Sequence, residues 1–193
     1  MSAENRKSFI LAVTNQKGGV GKTTTAVNVA AQLATTARRV VLVDLDPQGN
    51  ATSSFGIDKQ SLEYTLYDVL VGSAQPGDIV QQTRVPNLYV LPANANLAQA
   101  EVDLVAAEQR ELRLMRALAL VDAEVIIIDC PPALSLLTVN ALAAADGVLI
   151  PVQAEYFALE GLSELLQTVQ RVRHALNPRL NIFGIALTMF TKR

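Results

Sequence analysis

Six short apolar, β-branched runs recur along this chain of 193 residues: Phe9–Val13, Val40–Val43, Leu88–Leu91, Val125–Ile128, Val148–Val152 and Ile182–Leu187. The first five lack the alternation of a half-exposed strand, which points to strands buried on both faces of a parallel sheet. The stretches between them supply the cover. Within Ala158–Ala175, Leu159, Leu162, Leu165, Leu166, Val169 and Val172 recur at three- and four-residue spacing, as an amphipathic helix on such a sheet requires. Ser135–Ala145 and Asn96–Val121 read similarly, whereas Gln48–Ser61 and Pro76-Gly77 read as surface connections. The fold class is α/β, with a mostly parallel central sheet between helical layers. Residues 1–193 form one domain in this reading.

The segment Lys17-Gly18-Gly19-Val20-Gly21-Lys22-Thr23-Thr24 lies between the first run and a helix-like stretch from Thr24 to Ala37. Glycines at 18, 19 and 21 let the backbone take positive φ and curl its N–H groups toward one centre. The next helix adds unpaired N–H groups and its positive dipole end. The product is a phosphate cradle. Lys22 reaches β- and γ-phosphates, and the Thr23 hydroxyl can ligate a bridging Mg²⁺. The usual pattern has a Gly five positions before Gly21, where this chain has Gln16, so the loop is a variant with an extra lysine, Lys17.

Ligands of open parallel sheets sit beyond the carboxyl ends of the strands. Polar residues follow two of the runs directly: Asp44-Leu45-Asp46-Pro47-Gln48-Gly49-Asn50 and Asp129-Cys130-Pro131-Pro132. Asp129 has the features of a Walker B aspartate holding Mg²⁺, or of a helix cap. Asp44 and Asp46 point to one side of an extended backbone; one can orient water while the other supports the metal. Asp-Pro-Gln-Gly is also good turn chemistry.

Composition narrows the class. No apolar run approaches the ~18 residues that span a bilayer, and the polar N-terminus has no signal-peptide core, so the expected location is cytoplasmic and no membrane partner is expected. Cys130 is the single cysteine, which excludes paired-cysteine metal motifs within one chain and reads as a buried thiol. Net charge is −2, yet Leu165–Arg193 holds five basic residues and no acidic one, leaving −7 on residues 1 to 164. That end is a solvated helix face or a nucleic-acid footprint. His174 on the same helix reads as a solvated residue.

The loop Lys17–Thr24, the segment Asp44–Thr52, the Asp129–Pro132 strand end and Glu155-Tyr156-Phe157-Ala158-Leu159-Glu160-Gly161-Leu162 together resemble the ParA/Soj partition ATPases, of the deviant-Walker-A group that includes MinD. The resemblance implies a P-loop α/β/α fold and an ATP-driven dimer switch for partition of chromosomes or plasmids, nucleoid-associated. It implies that Lys17 reaches the phosphates of the other subunit of a homodimer, and that residues 17 to 24 hold ATP. Lys22 and Thr23 hold phosphate and Mg²⁺, Asp46 positions water, and Asp44 with Asp129 supports the metal. Lys17, Lys22 and Asp46 are the implied catalytic residues; Thr23, Asp44 and Asp129 form the implied metal set. Nonspecific DNA and a ParB-type centromere-binding protein are the implied partners. Relatives continue past this chain's end with a strand and helices that enclose adenine and supply basic residues, and commonly carry Asp where Thr191 stands, so a C-terminally truncated form is expected.

Three other readings are open on the same residues. A MinD-like switch needs an amphipathic membrane helix, and nothing after Ile182 has one. An iron–sulfur scaffold needs two cluster cysteines per subunit. A noncatalytic nucleotide-binding remnant would keep the fold without turnover.

Overall fold

The computed structural model describes residues 8–154 and 158–189, with the backbone alone for 158–160. The elements run β1 (Phe9–Val13), α1 (Lys22–Ala34), β2 (Val40–Asp44), α2 (Asn50–Ser54), α3 (Leu66–Val71), α4 (Pro76–Ile79), β3 (Gln81–Gln82) and β4 (Leu88–Leu91). They continue with α5 (Ala100–Asp103), α6 (Arg113–Leu118), β5 (Val125–Asp129), α7 (Leu136–Ala144), β6 (Gly147–Gln153), α8 (Ala158–Ala175) and β7 (Asn181–Thr188). Seven strands form one sheet in the order β3-β4-β2-β5-β1-β6-β7. Every pairing is parallel except that of β3 with β4.

The two faces are packed differently. On one, Leu11, Val13, Leu42, Val90 and Ile127 meet Ala26, Ala30 and Ala34 of α1, whose four-residue spacing gives the helix a smooth face for close approach. On the other, Ile10, Ala12, Val41, Val43, Ile126 and Ile128 meet Leu66, Leu70, Leu114, Leu118, Leu137, Leu165 and Val169 from the remaining helices. Burying Leu42, Ile126, Ile127 or Ile128 fully contributes about 1.5–3 kcal/mol of transfer free energy per side chain. Side chains on both strand faces are therefore apolar, as the unbroken runs require. β7 is the exception: it closes one edge, and Phe183, Ile185 and Leu187 remain more than half exposed.

One expected helix is not there. Asn96–Val121 is broken into a 3₁₀ turn (Ala95–Gln99), α5, a second 3₁₀ turn (Arg110–Leu112) and α6. Gln109 has φ 52°, which an α-helix cannot contain, and Val102 and Val105 point outward, so the apolar residues never form one continuous stripe. Two connections also hold short helices. Gln48–Ser61 includes α2, and Pro76 is the first residue of α4, where its missing N–H costs nothing. Asp78 accepts from the Gln75 N–H at 2.8 Å and caps that turn.

β1 lies between β5 and β6: the chain leaves it for β2 on one side, and later crosses from β5 through α7 to β6 on the other. That reversal opens a crevice at the carboxyl edge. Val13, Asp44 and Asp129 stand in register there, on three adjacent strands.

Candidate functional site

The loop after β1 turns into α1 through two left-handed residues, Gly19 (φ 73°) and Gly21 (φ 85°), while Gly18 keeps an ordinary φ. Of the three glycines, 19 and 21 carry the conformational demand. Gly21 is the N-cap of α1 with no side-chain cap, so the first N–H groups of the helix face the crevice uncapped. Lys22, the first residue of α1, is only 7% exposed, and its Nζ donates to the Lys17 carbonyl at 3.0 Å. Burial holds its ammonium below the ordinary lysine value, against the attraction of Asp129, Asp46 and Cys130. Lys17, half-buried, gives its N–H to Asn15 Oδ1 at 3.0 Å.

Asp44 and Asp129 are side by side and fully buried. Asp44 is well supplied with donors. Its Oδ2 accepts from the Thr52 hydroxyl at 2.6 Å and the Thr52 N–H at 2.7 Å, and its Oδ1 accepts from the Asp46 N–H at 3.3 Å. Thr52 Oγ1 in turn accepts from the Ala93 N–H at 3.0 Å, joining the β2 end to the β4 end. Burial raises the Asp44 carboxyl to about 6, with the Thr52 and Asp46 hydrogen bonds pulling it down.

Asp129 has neither oxygen in a hydrogen bond. Burial pushes its carboxyl up to about 7; the nearby Thr23 hydroxyl, outside bonding geometry, offsets part of this, Asp44 and Asp46 add to it, and Lys22 opposes. Such an orphaned buried carboxylate beside a lysine and a threonine hydroxyl fits a cation. Among the described residues no three His, Cys, Asp or Glu side chains converge, so the oxygen shell of that cation has to come largely from phosphate and water, as is usual for Mg²⁺.

Asp46 is buried at the crevice edge, and its Oδ1 accepts from the Gln48 N–H at 2.9 Å. The Gly49 N–H closes the turn on the Asp46 carbonyl at 2.9 Å. Gly49 has φ 61°, and a Cβ on it would stand 2.6 Å from the Ala93 carbonyl oxygen, so this turn admits glycine alone. Asp-Pro-Gln-Gly thus turns the chain as expected, with the Asp46 carboxylate held in that turn by the Gln48 N–H.

An AAA-domain family model matches residues 8–182. Sporulation initiation inhibitor protein Soj of Bacillus subtilis is 58% identical over 186 residues, covering 95% of this chain and 74% of Soj. Chromosome partitioning protein ParA of Caulobacter vibrioides is 50% identical over 188 residues, covering 95% of this chain and 70% of ParA. The chain belongs to the ParA/Soj family of partition ATPases.

The architecture agrees with that membership. Cobyrinic acid a,c-diamide synthase from Mycobacterium smegmatis, solved with bound ADP and magnesium, superimposes with a TM-score of 0.93 at 44% identity over 96% of this chain and 76% of its own. Around the ParA/Soj loop the fold also gathers residues that motif reading passed over. Asn15 is buried, and its Nδ2 donates to the Pro151 carbonyl at 2.7 Å. Thr188, at the end of β7, donates its hydroxyl to the Val20 carbonyl at 2.8 Å. Thr52 carries the Asp44 network. Thr52 ends the matching segment Asp44–Thr52, where it has no assigned role; Asn15 and Thr188 have no signal beyond flanking a strand end.

Cys130 is a buried thiol, pushed up by that burial, and His174 is exposed on α8. Arg179 pairs with Asp146 at 3.0 Å, while Arg171 and Arg173 lie exposed on α8. No helix of the described residues is long and apolar enough to cross a membrane. Glu155, Tyr156 and Phe157 of the fourth matching segment, and Thr191, Lys192 and Arg193, lie outside the described residues.

Proposed function

We propose that residues 1–193 act as the ATP-dependent dimerisation switch of a partition system, cycling through slow hydrolysis of ATP to ADP and phosphate. The observation that carries this reading is the orphaned carboxylate of Asp129, one strand from the phosphate loop and within the field of Lys22. The Thr23 hydroxyl and Asp129 would hold Mg²⁺, which supplies charge neutralisation between the β- and γ-phosphates. Asp44, already committed to three donors, supports the set from behind.

The chain's own residues do the remainder. The N–H groups of residues 18 to 24 cradle phosphate oxygens, and the positive end of α1 favours their charge. Lys22, held at the loop by the Lys17 carbonyl, exchanges that weak contact for the phosphates when nucleotide arrives. Asp46, oriented by the Gln48 N–H, accepts a hydrogen bond from the attacking water and lines it up with the γ-phosphorus. Lys17 would complete the partner subunit's site, so that hydrolysis competence appears only in the ATP dimer.

In that dimer the chain binds DNA without sequence preference, through phosphate contacts that weaken steeply with salt. A ParB-type protein stimulates turnover and resets the switch on the nucleoid. Phosphate release measured alone, with DNA, and with DNA plus the ParB-type partner tests the cycle. Release stimulated only in the last condition is expected. Mg-ATP binding with no release in any condition would leave a noncatalytic remnant. Gel filtration with ATP should show a dimer for the parent and a monomer for Lys17→Ala; identical elution of the two would sink the shared-site reading.

A further inference from the structure

The phosphate loop is fastened from outside at both ends. At its start Asn15 bridges the Lys17 N–H (3.0 Å) to the Pro151 carbonyl of β6 (2.7 Å). At its end the Thr188 hydroxyl of β7 donates to the Val20 carbonyl at 2.8 Å, across 168 residues of sequence. The Thr188 methyl also stands 3.6 Å from where a Cβ on Gly21 would be, so the side chain lies beside the left-handed glycine as its hydroxyl holds the preceding carbonyl. The two fasteners are neighbours in the sheet: Pro151 is in register with Ala186, and Gln153 with Thr188.

The Val20–Gly21 peptide is trans, so its carbonyl and its N–H lie in one plane and point in opposite directions within it. With the carbonyl drawn toward Thr188 on β7, the Gly21 N–H is directed away from β7, and β5 with Asp129 lies on that other side of β1 in the sheet. Left alone, that peptide could rotate about ψ of Val20 and φ of Gly21, the latter unrestricted by a Cβ. A free rotation would carry the N–H out of the cradle.

We propose that Thr188 is a positioning residue for nucleotide binding, its hydroxyl holding the Val20 carbonyl so that the Gly21 N–H is preset to meet a phosphate oxygen. The inference rests on the nucleotide-binding reading of the loop and adds to it a residue from the far end of the chain. It acts before chemistry: Thr188 reaches no reacting atom, so its loss weakens binding of both ADP and ATP and leaves turnover at saturation close to the parent's.

Calorimetric titration with Mg-ADP tests it on the parent, Thr188→Val and Thr188→Ser, with Thr188→Ala as a second deletion that cannot overpack. One neutral hydrogen bond predicts roughly two- to tenfold weaker binding for the valine and alanine variants. Serine, which keeps the hydroxyl, should bind within about twofold of the parent. Steady-state ATP hydrolysis should show the same ratio in KM and little change in kcat, with the nucleotide-free valine and alanine variants melting no more than about 2–4 °C below the parent. Equal affinity of parent and alanine variant overturns the proposal. So does a serine variant as weak as alanine with both melting lower, which marks a packing role. If the parent itself binds no Mg-ADP, the nucleotide reading falls and this inference with it.

Discussion

Asp44 and Asp129 end neighbouring strands in the same register, carry the same charge and are equally buried, yet their surroundings differ in kind. Asp44 accepts three hydrogen bonds from Thr52 and Asp46; Asp129 accepts none. A carboxylate with its lone pairs occupied is part of the framework, tying β2 to α2 and, through Thr52, to Ala93. One with its lone pairs empty is costly until a cation or a proton arrives. Position on the sheet edge therefore does not assign the role. Satisfaction does.

The sharpest way to break this comparison is to replace each aspartate by asparagine. Asp129→Asn should lower Mg-dependent phosphate release by about two orders of magnitude or more, since roughly 3 kcal/mol of metal-centred stabilisation is lost. Release within threefold of the parent would move the metal elsewhere. Asp44→Asn should act first on folding. The asparagine brings an NH₂ against donors it cannot accept from, costing about 2–3 kcal/mol in denaturant unfolding. An Asp44→Asn protein as stable as the parent would remove the distinction between the two sites.

Thr52→Val sharpens the same point from the other partner. It deletes the hydroxyl given to Asp44 and the acceptor used by the Ala93 N–H, and should cost about 1–2 kcal/mol, with Asp129-dependent metal binding retained. Metal affinity lost in proportion to stability would show the two carboxylates to be one unit.

Acidity gives the most diagnostic effect. Both carboxyls are raised from an ordinary 3.8, Asp44 to about 6 and Asp129 to about 7, so between those values the folded protein holds more protons than the unfolded chain. Stability of the nucleotide-free protein should then fall as pH rises through that window, by at most about 1.4 kcal/mol per pH unit for each group, and level off above it. Asp129→Asn should flatten the upper part of this slope, and Asp44→Asn only the lower. Mg-nucleotide binding should run the other way and weaken below about pH 7, because a proton must leave Asp129 first. Thermal melting across pH, with and without Mg-ADP, reads both signs; a flat profile without nucleotide contradicts the burial account.

Much of the fold was legible along the chain because parallel strands buried on both faces leave unbroken apolar runs. Val125–Ile128 lies within β5 and Val148–Val152 within β6, each extended by a residue or two in the structure. The failures were elements that owe their existence to neighbours. α2, α3 and α4 have four to six residues each, too short to hold without tertiary contacts, and β3 is two glutamines paired to β4. The supposed long helix after Asn96 failed because apolar content was read without a stripe that packing could use.

The site divides along the same line. Lys17–Thr24, Asp44, Asp46 and Asp129 were visible because glycine spacing and strand-end carboxylates are local patterns with a chemical reason. Local residue types by themselves determined a parallel sheet, a phosphate loop on its first strand and acidic residues at its carboxyl edge. Only the tertiary structure decided which carboxylate is satisfied and what holds the loop. Those facts depend on Thr52, Pro151 and Thr188, which stand 8, 136 and 168 residues from their partners. A hydrogen bond requires donor and acceptor within about 3 Å, and such proximity is set by how the chain closes.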